Sequence, residues 1–228
     1  MDKVIKNISE EDDFDMSDPD AFSKLLKKKE DLDPELEKYL YKDARLGDMI
    51  KHPLVFSIMH SSVMNSIINR QLKQKKAALE QAVNSKNFES VIFLHEKPYR
   101  LNAFLDVMTS MTDKEYWKLL GEVWTNSENV WQSLQTWKIL FNSSRSGKNN
   151  IMTAEELKVF KKLPNKVTAY RGYTPKNKNG LSYSLDKKTA EWFANRFHEN
   201  GKVKTIEVPK SKIIAYFSGR NEEEVIVI

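Results

Sequence analysis

The chain has 228 residues, 40% of them hydrophobic, and a formal net charge of +5, enough apolar material for one or two domains with an adequate core. It contains no cysteine, which excludes disulfides, thiol catalysis and thiolate metal sites. No apolar run approaches membrane-spanning length and Met1-Asp2-Lys3 leads into no secretory apolar stretch, so a soluble, cytoplasmic protein without a membrane partner is expected.

Residues 1–20 hold eight acids (Asp2, Glu10, Glu11, Asp12, Asp13, Asp15, Asp18 and Asp20) against Lys3 and Lys6. The segment carries −6 and leaves +11 on the remainder. Such an acidic, polar start predicts a mobile tail. A sharper alternative has it folding over the basic body to mask an anionic-substrate groove.

Residues 21–105 read as helical. Asp33 and Pro34 form an N-cap and first-turn pair, opening a helix through Tyr39 and Leu40. Pro53 begins the next, with Phe56, Met59, Val63 and Ile67 at helical spacing, and Lys73, Lys75 and Lys76 give it a basic end beyond Arg70. That end reads as the solvated face of an amphipathic helix, with nucleic-acid binding as the alternative. His52, His60 and His95 lack metal-ligand spacing. The region carries no chemical motif; substrate recognition, a protein partner and helical support all stay open for it.

From residue 106 the helix starts are explicit. Thr112-Asp113-Lys114-Glu115 and Thr153-Ala154-Glu155-Glu156 are capping boxes. Trp117, Trp124, Trp131 and Trp137 lie between them and read as core, with base stacking as the alternative. Asn142 to Asn150, rich in Ser, Asn and Gly, is a loop.

The last third alternates strand and helix. Val167-Thr168-Ala169-Tyr170 is a strand ending at Arg171, whose fork suits a diphosphate or carboxylate, or a surface ion pair. Gly172 follows and permits close backbone approach. Ser182 and Ser184, two apart, present hydroxyls on one side of a short strand. Asp186 to Glu199 is a helix with Ala190, Phe193, Ala194 and Phe197 inward, closed by Asn200-Gly201. His198, near its end, reads as a surface histidine complementing the helix dipole. Lys202 to Val208 and Ser211 to Phe217 are strands, and Ser218 to Asn221 a turn. In Glu222-Glu223-Glu224-Val225-Ile226 the aliphatics predict a strand, which puts Glu222 and Glu224 on one face, about 6.5 to 7 Å apart, and turns Glu223 away. The plainer reading is a solvated edge with three surface acids.

The order aromatic-Arg-Gly, then Ser-x-Ser running into a helix with an Ala-x-x-Phe-Ala pattern, then Glu-x-Glu before aliphatics, resembles the arginine-serine-glutamate class of mono-ADP-ribosyltransferases. Bacterial and phage members share further features: a Trp-rich helical stretch, the Met152-Thr153-Ala154-Glu155-Glu156 helix start, and Leu163-Pro164 before the arginine strand. The likeness is firm over 167–228 and looser back to about Thr112. One position departs from the pattern: Tyr183 stands where the serine motif usually has Thr.

The resemblance implies roles for these residues. Arg171 would grip NAD near its phosphates and nicotinamide ribose, and Gly172 would meet the carboxamide. Ser182 would orient Glu224; Glu224 would bond that ribose and stabilise charge as the glycosidic bond breaks. Glu222 would deprotonate the acceptor, Glu at this place going with arginine acceptors. The expected NAD contacts are thus Tyr170, Arg171, Gly172, Ser182, Ser184 and Glu224, with NAD as cosubstrate and no metal. The expected fold is α+β: a helical region over 21–105, then over 106–228 a catalytic domain with a split β-sheet and a helical lobe. The expected acceptor is a protein arginine. RNA or DNA is the alternative acceptor, and a partner-binding protein with a vestigial NAD cleft is the alternative of a different class.

Overall fold

The computed structural model describes residues 29–45, 47–57, 60–128, 130–196, 200–219 and 222–228. The predicted acidic tail, Met59, His198 and the turn residues Arg220 and Asn221 lie outside them. The chain is mixed α and β and divides into two compact units, residues 1–86 with 94–96, and residues 87–93 with 97–228. Among the described residues no helix is long and apolar enough to cross a membrane.

The first unit is not purely helical. Asp33 caps helix α1 (Pro34–Glu37) as expected, its carboxylate accepting from Glu35 N, but the helix stops there and Leu40 opens a strand. Strands β1 (Leu40–Asp43), β2 (Gly47–Lys51) and β3 (Phe56–Ser57) form an antiparallel sheet in that order. The β1–β2 hairpin closes at Asp43 and Gly47. Gly47 takes φ +78°, a left-handed conformation that glycine adopts without steric cost, and the Asp43 carboxylate accepts from Arg45 N.

The helix expected from Pro53 is absent. His52 and Val55 exchange two backbone hydrogen bonds, 3.0 and 3.1 Å, so Pro53 sits in a tight turn between β2 and β3, a place that does not need its missing N–H. Helix α2 begins later, Asn65–Asn84. Its buried stripe runs through Ile68 and Leu72 rather than Val63 and Ile67, and joins Leu36, Ile50, Leu54 and Val55. His52 lies in this unit between Glu35, 3.3 Å from its Nε2, and Leu54 N, which donates to its Nδ1. Burial pushes its pKa down.

The second unit starts with helices α3 (Phe88–Phe93), α4 (Arg100–Val107) and α5 (Asp113–Asn126), followed by α6 (Leu134–Phe141) and α7 (Ala154–Lys162). Both capping boxes are formed, with Thr112 and Glu115, and Thr153 and Glu156, bonding reciprocally. Trp117, Trp124 and Trp137 are core, as read; Trp131 is 42% exposed. The loop 142–150 is tied down by Arg145, which donates to the carbonyls of Met108 and Met111 and to Asp113.

Strands β4 (Lys166–Tyr173), β5 (Ser182–Ser184), β6 (Lys202–Pro209), β7 (Ile213–Phe217) and β8 (Glu224–Val227) form one antiparallel sheet in the order β6-β4-β5-β8-β7. Among the described residues it is continuous, not split in two as the resemblance implies. Strand β8 lies between β5 and β7, and Val225 and Ile226 are fully buried. Helix α8 (Lys187–Asn195) is capped by Asp186, whose carboxylate accepts from Lys188 N and Thr189 N. It packs on β4 at Gly172, where any Cβ would meet the Ala190 carbonyl and Ala194 N.

Candidate active site

The sheet register brings together residues far apart in the chain. Tyr170 on β4 pairs with Ser184 on β5, and Ser184 pairs with Glu224 on β8. Directly opposed residues of an antiparallel pair share a face, so these three positions form a row across adjacent strands. Ser182, on the same side of β5, hydrogen-bonds the Glu224 carboxylate through its hydroxyl. That is the contact the resemblance implies for this pair.

Arg171 joins them through its guanidinium. It donates from Nη1 to the Ser182 carbonyl at 2.6 Å and from Nη2 to the Asn177 carbonyl at 2.7 Å. Its Nε is buried without a partner. Burial lowers the guanidinium's pKa, while Tyr183 and Glu224 favour its charged form. Gly180 lies flat against the guanidinium, so that a Cβ there would collide with it. The fork is therefore engaged with the Ser182 and Asn177 carbonyls, which leaves a phosphate the Nε–H or the place of the Asn177 carbonyl.

Glu224 is half-buried, and burial is the leading cause that raises its pKa. Hydrogen bonds from Ser182 and Trp124 and the charge of Arg171 pull it down; the nearby charge of Glu222 pushes it up. The net shift is upward. A carboxylate so placed has lost part of its hydration, so its charge, once formed, acts strongly on a cation beside it.

Glu222 does not share a strand with Glu224. Glu223 takes φ +44°, a left-handed conformation that breaks strand alternation, and β8 begins only at Glu224. Glu222 belongs to the preceding turn, its N–H donating to the Gly219 carbonyl. The two carboxylates are near each other nonetheless, since the charge of Glu222 raises the pKa of Glu224. Ser184, expected to touch NAD, spends its hydroxyl on the backbone: it donates to the Glu222 carbonyl at 2.7 Å and accepts from Asp186 N at 3.0 Å. It fixes the turn before β8 to the start of α8. Gly172 likewise has a packing role, against α8.

Two contributors escaped the sequence. Trp124 on α5 donates from Nε1 to Glu224 Oε1 at 3.2 Å, across a separation of 100 residues. Glu156, read only as half of a capping box, also accepts from Ser218 N and Oγ, at 2.9 and 3.3 Å, anchoring the turn that carries Glu222. Its Ser/Thr-x-x-Glu spacing announces the first bond and has no bearing on the second. Among the described residues no group of three or more His, Asp or Glu side chains is placed to hold a metal ion. No family model, no curated protein and no solved structure matches the chain.

Proposed function

We propose that the chain is an NAD-dependent mono-ADP-ribosyltransferase that moves ADP-ribose to a macromolecular acceptor, a protein arginine first, and releases nicotinamide. One observation carries this reading: the Ser182 hydroxyl is bonded to the Glu224 carboxylate while the Arg171 guanidinium holds the Ser182 carbonyl, so the three residue types of the resemblance meet in one place.

The chemistry suits those residues. The bond between the ribose anomeric carbon and the nicotinamide nitrogen breaks with its electron pair going to nicotinamide, which leaves neutral and needs no acid. The positive charge that develops on the ribose appears only in the transition state, where a fixed carboxylate lowers its energy most. Glu224 supplies that carboxylate. The acceptor nitrogen then bonds the anomeric carbon, and its proton passes to Glu222 and on to solvent. Arg171 supplies positive charge for the diphosphate, by exchanging its bond to the Asn177 carbonyl.

Nicotinamide release from NAD by the purified protein, with and without acceptor, tests the reading. Release at the unsubstituted rate in Glu224→Gln overturns the assignment of the carboxylate. Labelled NAD added to cell lysate, followed by protease or nuclease treatment, assigns the acceptor. Label lost to protease supports a protein, label lost to nuclease moves the acceptor to RNA or DNA, and no release at all leaves a partner-binding protein.

A further inference from the structure

Trp124 is a core side chain whose packing leaves one question, where its indole N–H goes. It is 4% exposed, and a buried indole keeps its N–H only where an acceptor meets it. The acceptor here is not a backbone carbonyl but Glu224 Oε1, 3.2 Å away. The ring has little freedom to turn from it. Trp137 stands edge-on with centroids 5.0 Å apart and planes at 89°, and Phe141 packs at 5.1 Å on the same ring; both neighbours are themselves buried.

We propose that Trp124 is a positioning residue for Glu224: its indole N–H, set by the aromatic cluster of the helices, holds carboxylate oxygen Oε1 so that the group keeps a single orientation toward the reacting ribose. The proposal rests on the transferase reading for its consequence in rate, and on geometry alone for the contact. The carboxylate is otherwise faced by the Ser182 hydroxyl, the Glu222 carboxylate and the Arg171 guanidinium. Ser182 comes from the sheet and Trp124 from the helices, so the two donors hold it from separate elements. A donor to the ionised form also favours ionisation, which opposes the burial that disfavours it.

The test compares Trp124→Phe, which keeps an aromatic ring and removes the N–H, with Trp137→Phe, which perturbs the same cluster and leaves the N–H in place. In Trp124→Phe, kcat for nicotinamide release should fall about tenfold, as for a hydrogen bond to a charged group. KM for NAD should stay within about twofold, uniform binding being untouched, and the acid limb of the kcat profile should move to higher pH. Trp137→Phe should keep the acid limb in place. An unmoved limb in Trp124→Phe, or the same displacement in both variants, overturns the proposal.

A measurement on the unsubstituted protein covers the case in which Trp124→Phe does not fold. The Trp124 indole resonance should shift with pH in step with the Glu224 carboxyl carbon, and should lose that titration in Glu224→Gln. A flat indole resonance overturns the contact without any Trp variant. If the unsubstituted protein releases no nicotinamide, the transferase reading falls, while this titration still decides whether Trp124 holds Glu224.

Discussion

Glu224 stands where a carboxylate is costly to ionise and useful once ionised. Burial raises its pKa, as does Glu222, and Ser182, Trp124 and Arg171 oppose them without prevailing. A carboxyl whose folded pKa lies above its unfolded value stabilises the fold at low pH, and that contribution is lost as pH rises through the folded value. Glu224→Gln removes the ionisation. Its Tm should match the unsubstituted protein below the ordinary carboxylate range, about pH 4, exceed it as pH rises, and keep a constant lead once the folded group is ionised. A difference in Tm that does not change with pH would contradict this. Glu222→Ala should have two effects, because Glu222 is proposed to serve the acceptor and its charge raises its neighbour's pKa. Transfer should be lost with NAD hydrolysis retained, and the acid limb of hydrolysis should move to lower pH. Equal loss of both activities would remove the acceptor role.

Among the elements, α8 and α7 make the clearest demands. Gly172→Ala puts a Cβ into the backbone of α8 at Ala190 and Ala194, and overpacking of this kind costs about 1–3 kcal/mol, readable as a lower denaturation midpoint. Thr153→Ala removes one cap of α7 and should cost about 1 kcal/mol. Both capping boxes were legible because they are written within four residues. So were β4, β6, β7 and the helix after the serines, where alternation or helical spacing is unmixed. The β1–β2 hairpin was not: its signal is a single left-handed glycine, and the apolar residues around it also fit a helical period. The buried stripe of α2 runs through Ile68 and not Ile67 because Val63, which sets the expected phase, lies in the turn ahead of the helix. Glu222 was assigned to a strand since alternation assumes an extended backbone, and one left-handed residue, Glu223, ends it. The bond from Trp124 to Glu224 spans 100 residues, and no local period reaches that far.

At the scale of the molecule, charge and connectivity matter most. Outside the first twenty residues the chain carries +11, and for the proposed cosubstrate NAD, an anion, the field of the protein should assist capture. The apparent KM for NAD should rise as salt is raised through physiological strength, where the screening length is about 8 Å. A KM indifferent to salt would limit recognition to short-range contacts. The sheet order places β8 between β5 and β7, although it follows both in the chain. Glu224 can therefore meet Ser182 only after β8 has inserted between two strands that precede it. A chain shortened before Glu224 would lose the carboxylate and the strand that joins β5 to β7 together, leaving the facing edges of both without partners.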